Sequence, residues 1–290
     1  FSFYVETPET RLGGERQFLN NDNNRIGGVS FVAPDDAGVT PFDLPSEALP
    51  KIAASNAKVG GLVEGTPAFD LGAGCSGWVY ALSTAYAFVS GGFHRRVLVI
   101  GADLLTKITD WTDRATCILF GDGAGAAVVG PVEHDYGFLA FELGSDGSGA
   151  QALRVPAGGS RMPITHEALD AHDDKIHMEG REVFKFGVKI QGEATERVLA
   201  KTGLTTADID LVVPHQANTR IIDSAVQRLG LPKDKFYVNL QKYGNTSAAS
   251  IPIALDEAIQ AGKVKKGDTI VTVGFGAGLT WAAGVMKWAY

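Results

Sequence analysis

The chain has 290 residues, of which 45% are hydrophobic and 36 are glycine, which is enough to bury a large core. A net charge of −7 and an isoelectric point of 5.4 argue against the basic surface that nucleic-acid phosphates require, so no nucleic-acid partner is predicted. No stretch approaches the ~20 apolar residues of a membrane span, and no basic, apolar leader opens the sequence, so we expect no membrane association. Two cysteines without a disulfide framework predict a reducing, cytoplasmic location.

The first informative element surrounds Cys75, within FDLGAGCSGWVYALSTAYAFVSGG at residues 69–92. A short apolar strand, a glycine-rich turn and an uncharged helix over 78–90 follow one another here. A thiol at a helix start faces unpaired backbone N–H groups and the positive end of the helix dipole, which predicts a lowered pKa and a reactive thiolate. A lone cysteine is more often a small buried hydrophobe, so this position needs support from other residues.

Cysteine and glycine patterns argue against metals and nucleotide cofactors. The only other cysteine is Cys117, and neither belongs to a CxxC arrangement, so we predict no disulfide and no metal site. The strings GDGAGAAVVG (121–130) and GFGAGLTW (274–281) are glycine-rich, but neither is followed by a helix with an acidic residue ~20 positions on. We therefore interpret them as sites of close backbone packing and predict no cofactor.

Two further polar residues stand where predicted strands end. His215 follows the apolar strand and proline of DIDLVVPHQANTRI (208–221), just before a helix. Asn245 lies in FYVNLQKYGNTSAASIPIALDEAI (236–259), in a turn between a predicted strand at 237–240 and a helix. Alone, the histidine would be interpreted as a hydrogen-bonded loop residue and the asparagine as a turn or cap residue.

An internal repeat of predicted elements links these positions. The segments starting at Phe69 and Tyr237 share the order strand, polar turn, small-residue helix, glycine-containing loop and strand. A chain built from two similar halves brings the two turns together at a pseudo-twofold axis. We therefore expect Cys75 and Asn245 to face one pocket.

The same residues resemble the β-ketoacyl-[acyl carrier protein] synthase III type of the condensing-enzyme, or thiolase-like, superfamily. The resemblance runs from about residue 66 to the C-terminus and rests on GAGCSG, WTDRATCILFGDGAGAAVV (111–129), PAGGSRMP (156–163), MEGREVFKFGV (178–188), PHQANTRI (214–221), YGNTSAASIP (243–252) and GFGAGLTW. It implies an α/β fold, a duplicated five-layered α-β-α-β-α sandwich, with an N-terminal half at 1–135 and a C-terminal half at 136–290. It also implies a homodimer, and the uncharged helix fits the central layer.

In that resemblance, Cys75 attacks an acyl-coenzyme A (acyl-CoA) thioester, while the backbone N–H groups of Cys75 and Ala277 form the oxyanion hole. Malonyl-[acyl carrier protein] then loses carbon dioxide with its thioester oxygen between His215 and Asn245. The resulting carbanion attacks the acyl-cysteine and gives a 3-oxoacyl thioester, which initiates fatty acid biosynthesis.

Other positions take roles by resemblance alone. Four match coenzyme A or acyl contacts: Arg114, Phe120, Asn218 and Phe275. Three match basic residues that dock the acidic acyl carrier protein: Lys185, Arg220 and Arg228. Ordinary core packing explains the two phenylalanines equally well, and isolated surface charges explain the basic residues.

The resemblance is weak over the first 65 residues. Only 27–36 and 46–62 match an early strand and a following helix, and the segment with the arginine and tryptophan that clamp the coenzyme adenine is not found. We therefore expect a shortened or diverged N-terminal unit.

Three alternatives stay open. One is a related acyltransferase of a polyketide or other secondary pathway, and another is an inactive partner subunit. The third is a papain-like cysteine protease, because His215 follows Cys75 by 140 residues (215 − 75) and an asparagine comes later. Against a protease, Ser76 and Gly77 follow the cysteine in place of tryptophan. A thiolase would carry a second cysteine in GFGAG, which has none.

Overall fold

Four antiparallel strands form the first sheet of the computed structural model, which describes residues 67–290 and the backbone of a strand at 2–6. The strands are β1 (Ser2–Glu6), β2 (Ala68–Asp70), β3 (Arg96–Leu104) and β4 (Asp122–Val129), in the spatial order β2-β1-β3-β4. Between β3 and β4 the register runs from Val97 opposite Val129 to Leu104 opposite Asp122. The C-terminal end of β3 therefore lies beside the N-terminal end of β4.

The second sheet also has four strands. They are β5 (Gly137–Ser145), β8 (Leu211–Pro214), β9 (Thr269–Gly276) and β10 (Thr280–Lys287), in the order β5-β10-β9-β8. The strands β8 and β9 pair in parallel, with Pro214 opposite Val273. Because parallel strands end at the same edge of a sheet, the residues after Pro214 and Gly276 come to one edge.

Helices lie between the sheets and outside the second sheet. Their bounds are α1 (Gly77–Ser90), α2 (His166–Asp170), α3 (Gly180–Ala200), α4 (Thr219–Leu229), α5 (Leu240–Tyr243) and α6 (Ser250–Gln260), and a short ribbon pairs β6 (Leu153–Arg154) with β7 (His177–Met178). Apolar residues of α1 and α6 share one core cluster with residues of both sheets. A second cluster joins α3 and α4 to the other face of the second sheet.

The uncharged sequence of α1 follows from this position. Its buried side chains are Trp78, Val79, Ala81, Leu82 and Ala85. A charge there would be desolvated without a partner, which costs several kcal/mol, on the order of the penalty for a buried ion. The predicted central helix over 78–90 is thus confirmed, with its first residue at Gly77.

Sheet, helix, sheet and helix account for four layers of the predicted sandwich within the described part of the chain. The α/β fold class is confirmed. The fifth layer, and the expected strand and helix at 27–36 and 46–62, lie outside the described residues. The boundary between halves at residue 135 stays a prediction, and it falls between the last strand of one sheet and the first strand of the other.

The order of elements predicted for the repeat is present in the first segment, but the second segment lacks its first strand. The structure has no strand at 237–240: one isolated bridge joins Phe236 to Val212, and α5 begins at Leu240. The side chain of Gln216 replaces the missing strand pairing. Its Nε2 donates to the carbonyl of Tyr237 at 3.1 Å, and its Oε1 accepts the N–H of Asn239 at 3.0 Å.

Across residues 67–290 and the N-terminal strand, the structure contains no helix that is both long and apolar enough to cross a membrane.

Candidate active site

Cys75, His215 and Asn245 line a single cavity of about 220 Å³. Cys75 sits in a 3₁₀ turn, Gly74–Ser76, that runs directly into α1. His215 follows β8, and Asn245 follows the glycine that ends α5. All three side chains are buried. The structure therefore brings together the three residues that the sequence predicts to share a pocket.

Glycines allow strand β9 to approach the cysteine turn. A Cβ atom at Gly276 would lie 2.7 Å from Cys75 Cβ and 3.0 Å from its Sγ, which no real side chain could occupy. Gly74 has φ +52°, in the left-handed region that favours glycine, and its Cβ would lie 3.3 Å from the Ala277 nitrogen. The sequence interpretation of GFGAGLTW as close backbone packing is confirmed for Gly276.

Burial raises the pKa of the Cys75 thiol to about 11, and the nearby Asp103 carboxylate adds to this effect. Three donors act in the opposite direction on the same pKa: the Ser247 hydroxyl and the backbone N–H groups of Cys75 and Ala277. The sequence-based prediction of a lowered pKa is therefore wrong for the enclosed thiol, because desolvation outweighs the donors. The two N–H groups expected in the oxyanion hole do face the sulfur.

His215 is held from two sides. Its backbone N–H donates to the carbonyl of Val273 at 2.7 Å, and its ring Nδ1 lies 2.7 Å from Ser250 Oγ. Ser250 Oγ also accepts the N–H of Gln216 at 3.3 Å, which leaves the hydroxyl proton free to be donated to Nδ1. That arrangement puts the ring proton on Nε2.

The environment keeps this histidine neutral. Burial lowers the pKa of His215 to about 4, and an interaction with the backbone of Ser247 opposes the shift only in part. The Phe275 ring meets the imidazole edge to face, with centroids 5.6 Å apart. At neutral pH the imidazole is therefore an uncharged hydrogen-bond donor through Nε2.

Asn245 is fixed through its backbone and its side-chain carbonyl. Its N–H donates to Leu119 at 2.8 Å, and its carbonyl accepts the N–H of Gly121 at 2.9 Å. The side-chain Oδ1 accepts the backbone N–H of Ser247 at 2.8 Å. With the carbonyl side engaged, the amide Nδ2 is the group left to donate into the cavity.

The rest of the cavity wall is mostly apolar. Phe120 and Phe275 line it, together with Val183, Phe184 and Ile221. Asn218 also lines the cavity while its Oδ1 caps α4 by accepting the Arg220 N–H at 2.9 Å. An apolar chamber with few polar groups is typical of a site for a small acyl chain.

Arg114 is not among the residues that line this cavity, although its neighbour Ala115 is. The predicted coenzyme contact of Arg114 therefore stays a prediction.

The three predicted docking cations have different surroundings. Lys185 pairs with Glu182 on the same helix at 2.8 Å, and the Arg220 guanidinium lies 5.0 Å from the centroid of the Phe184 ring at the cavity wall. Arg228 is held by Glu193 and Glu196 at 3.5 and 2.8 Å. Of the three, Arg228 makes the most ion pairs within the described part of the chain.

Three further residues contact the functional groups without having been predicted from the sequence: Ser247, Ser250 and Asp103. Ser247 Oγ donates to Cys75 Sγ at 3.4 Å, and Ser247 has φ +51°, unusual for a residue with a side chain. Asp103 Oδ2 accepts the N–H of Ala248 at 3.1 Å. An acidic residue ending the apolar run VLVIGAD was the available signal for Asp103.

In the described part of the chain, no cluster of three or more histidine, cysteine, aspartate or glutamate side chains could hold a metal ion.

Comparisons with known proteins find one family over the segments that carry Cys75, His215 and Asn245. The family described as 3-oxoacyl-[acyl-carrier-protein (ACP)] synthase III matches residues 69–147, and its C-terminal part matches residues 199–288. The β-ketoacyl-[acyl-carrier-protein] synthase III of Natranaerobius thermophilus is 50% identical over 305 aligned positions, which cover 98% of this chain and 92% of the relative. The protein of that name from Caldanaerobacter subterraneus is 60% identical over 222 residues, 77% of this chain and 67% of the relative.

Solved structures show the same similarity. The crystal structure of the synthase III from Thermus thermophilus matches with a TM-score of 0.70 and 52% identity, over 76% of this chain and 67% of that one.

Proposed function

The chain belongs to the 3-oxoacyl-[acyl-carrier-protein] synthase III family, and we propose that it joins an acyl-CoA starter to malonyl-[acyl carrier protein] at Cys75, His215 and Asn245. This decarboxylative condensation initiates fatty acid biosynthesis and makes the chain an acyltransferase. Membership of this family makes the cysteine-protease alternative wrong. The observation that carries the assignment of residues is the shared cavity with its three fixed polar groups.

Acylation comes first. The Cys75 sulfur attacks the thioester carbonyl of the acyl-CoA, and the oxygen that becomes negative accepts the N–H groups of Cys75 and Ala277. The carbon–sulfur bond to coenzyme A breaks, and the coenzyme leaves as a thiolate that takes a proton from solvent. The acyl chain then lies along the apolar wall that includes Phe120 and Phe275.

Decarboxylation uses the two side-chain donors. The thioester oxygen of the malonyl group lies between His215 Nε2 and Asn245 Nδ2, and loss of carbon dioxide leaves an enolate on that oxygen. Fixed donors aimed at a developing negative charge in an enclosed site each lower the barrier by about 3 kcal/mol. A neutral imidazole suits this role because it donates without giving up a full proton.

Condensation completes the cycle. The enolate carbon attacks the acyl-cysteine carbonyl, the carbon–sulfur bond to Cys75 breaks, and the 3-oxoacyl carrier-protein thioester leaves. The Cys75 thiolate must regain one proton before the next cycle. The oxygen of this second tetrahedral intermediate again accepts the N–H groups of Cys75 and Ala277.

Substrate contacts outside the chemistry belong to the same proposal. Asn218 contacts the pantetheine arm where it lines the cavity, and Arg114 contacts the nucleotide end of coenzyme A. Lys185 and Arg220 meet the acidic carrier protein near the cavity wall, where the guanidinium already lies over Phe184. Arg228 can contact the carrier protein only if it breaks its ion pairs with Glu193 and Glu196. A homodimer is expected by family resemblance.

Intact-protein mass spectrometry tests the proposal. Wild type and Cys75→Ala are incubated with acetyl-, isobutyryl- and longer acyl-CoA, and the mass of each protein is measured. A mass increase equal to the acyl group, confined to wild type, supports acylation at Cys75 and ranks the starters. Folded wild type that gains no mass from any acyl-CoA would contradict acyl-CoA as the donor.

Adding malonyl-[acyl carrier protein] to the acylated protein tests the second half. The acyl mass should disappear from the protein as a 3-oxoacyl carrier protein forms. Starter preference separates the fatty acid role from the polyketide alternative, since an enzyme of secondary metabolism would favour an unusual acyl group over the short starters.

A further inference from the structure

Asp103 is a partly buried carboxylate that takes no part in the condensation steps described for Cys75, His215 and Asn245. It is the next-to-last residue of β3, and its Oδ2 accepts the N–H of Ala248 at 3.1 Å. Burial raises the pKa of Asp103, while hydrogen bonds from Ser247 and Ala248 act in the opposite direction. The described titratable groups that influence it are Asp122 on the neighbouring strand β4 and the Cys75 thiol. An acid in such a position is a functional candidate.

Ser247 connects this carboxylate to the nucleophile. Its hydroxyl lies 3.4 Å from Cys75 Sγ and also hydrogen-bonds Asp103. The hydroxyl proton of Ser247 points to the sulfur in the structure. A hydroxyl has one proton and two acceptor positions, so once it turns that proton to the Asp103 carboxylate it can accept the proton of the thiol. The left-handed φ of +51° and the bond from its N–H to Asn245 Oδ1 hold Ser247 between the two groups.

The thiol needs such a partner. With a pKa of about 11, only about one Cys75 thiol in ten thousand is ionised at pH 7. His215 is a poor proton acceptor because burial lowers its pKa to about 4, and its Nδ1 is engaged by Ser250. Among the groups around Cys75 that the structure describes, the Ser247 and Asp103 pair is the remaining route for the proton.

We propose that Ser247 relays the thiol proton of Cys75 to the carboxylate of Asp103 during acylation, and that the same path returns it after condensation. This inference rests on the proposed function of the site. Ser247 touches the reacting sulfur, and Asp103 acts through it.

The protons balance over the cycle. In acylation, the S–H bond of Cys75 breaks as its proton passes to Ser247 Oγ, and the Ser247 proton passes to Asp103, which becomes neutral. Coenzyme A leaves as a thiolate and takes one proton from solvent. When condensation breaks the acyl–cysteine bond, Asp103 returns its proton through Ser247 to the Cys75 thiolate. The net uptake is one solvent proton per product.

Three variants test the relay. Asp103→Asn keeps an oxygen to accept the Ala248 N–H but cannot take a proton, and Ser247→Ala removes the hydroxyl while keeping the N–H that holds Asn245. Asp122→Asn is the matched control on the adjacent strand, where the carboxylate binds Thr106 at 2.9 and 2.6 Å. Thermal melting establishes that each variant is folded.

Two rates are measured for each protein at pH 7: acylation by acetyl-CoA in quenched flow, and alkylation of Cys75 by iodoacetamide. Iodoacetamide reacts with the thiolate already present, whereas acylation through the relay moves the proton during the reaction. Asp103→Asn should lower the acylation rate about 100-fold, the usual range for a lost general base. Its alkylation should be unchanged or faster, because the Asp103 charge raises the thiol pKa.

Asp103→Asn that acylates as fast as wild type or faster would overturn the relay. A carboxylate that only shaped the field around the thiol would, once neutralised, speed both reactions. Ser247→Ala should also acylate about 100-fold more slowly, with a smaller loss of alkylation, because the hydroxyl also lowers the thiol pKa. If Asp103→Asn does not fold, equal loss of both rates in Ser247→Ala would overturn the relay. Asp122→Asn should stay within twofold of wild type, as a control without the relay. Absence of acylation in wild type itself would defeat the proposed function, whereas wild-type rates in both relay variants would defeat only this inference.

Discussion

The turn that carries Cys75 and the pair of loops that carry His215 and Asn245 stabilise negative charge in different ways. At the cysteine turn, the donors are backbone N–H groups of Cys75 and Ala277, placed by glycines that let β9 approach closely. At the two loops, the donors are side chains, and each is aimed by a second residue behind it. One region depends on backbone shape and the other on side-chain identity.

This contrast predicts how substitutions divide between the two half-reactions. Replacing the side chain of His215 or Asn245 should affect decarboxylation and leave acylation in place. A change at the cysteine turn should act on acylation, either by removing the nucleophile or by displacing the backbone donors. Three predictions test that division, and a fourth compares the acid sensitivity of the two regions.

The largest effect is expected at the nucleophile. Cys75→Ser should lower acylation at least 1000-fold, on the order of losing a covalent nucleophile, because an alcohol in this enclosed site is far less ionised than a thiol. Quenched-flow acylation with acetyl-CoA measures it, and Cys117→Ser is the matched control. Acylation that survives in Cys75→Ser and disappears in Cys117→Ser would place the nucleophile elsewhere.

His215→Ala should separate the half-reactions. Loss of one fixed donor lowers the rate of decarboxylation about 100- to 1000-fold, while Cys75 should still be acylated at a rate within a few-fold of wild type. Release of carbon dioxide from malonyl-[acyl carrier protein] and acyl mass gain measure the two steps. His177→Ala, on the surface, is the control, and equal loss of both steps in His215→Ala would contradict the division.

The sequence predicted the residues of the site better than the way they are held. Cys75, His215 and Asn245 were identified because polar residues between strands and helices stand out against apolar runs. The serines behind them were missed, because Ser247 and Ser250 occur in a run of small residues that also fits a helix start. Only the three-dimensional structure shows which hydroxyl faces which functional group.

Two other differences have the same origin in long-range contacts. The strand predicted at 237–240 does not form, since the side chain of Gln216, over 20 residues away, takes its backbone hydrogen bonds. The pKa of Cys75 is raised although its position next to a helix start predicts the reverse, because the burial that raises it depends on distant segments such as β9. Local patterns give the fold class and the central helix α1, whereas desolvation depends on the assembled core.

The loops that carry His215 and Asn245 should also make a larger acid-dependent contribution to stability than the cysteine turn. The pKa of His215 is lowered to about 4, below the ordinary value of an unfolded histidine. Above pH 6.5 this difference does not affect stability, because the histidine is neutral in both states. As the pH falls from 6.5 toward 4, the unfolded histidine binds a proton that the folded one does not, and the folded state is destabilised. At pH 4.5 the folded state should lose about 2.5 kcal/mol relative to pH 7.5 from this group alone. The exposed His172 acts in the other direction, because Asp110 raises its pKa.

Urea unfolding of wild type and His215→Gln at pH 7.5 and 4.5 isolates the contribution of His215, since His172 is common to both proteins. The gap in free energy of unfolding between the two proteins should shift by about 2.5 kcal/mol in favour of the glutamine variant at the lower pH. A gap that does not change with pH would mean that the imidazole is protonated without cost in the folded protein.

The smallest effect tests the backbone region. Gly276→Ala places a Cβ atom 2.7 Å from Cys75 Cβ, so β9 must move away from the cysteine turn by several tenths of an ångström. Overpacking of this kind costs about 1–3 kcal/mol, and we expect acylation to slow by about tenfold as the Ala277 N–H is displaced. Gly72→Ala is the matched control, because its Cβ would meet no atom within 4 Å. A Gly276→Ala variant that lost stability yet acylated at the wild-type rate would show that the Ala277 N–H moves with the cysteine, and the oxyanion donors would then be less dependent on the fit of β9 than the glycine contacts indicate.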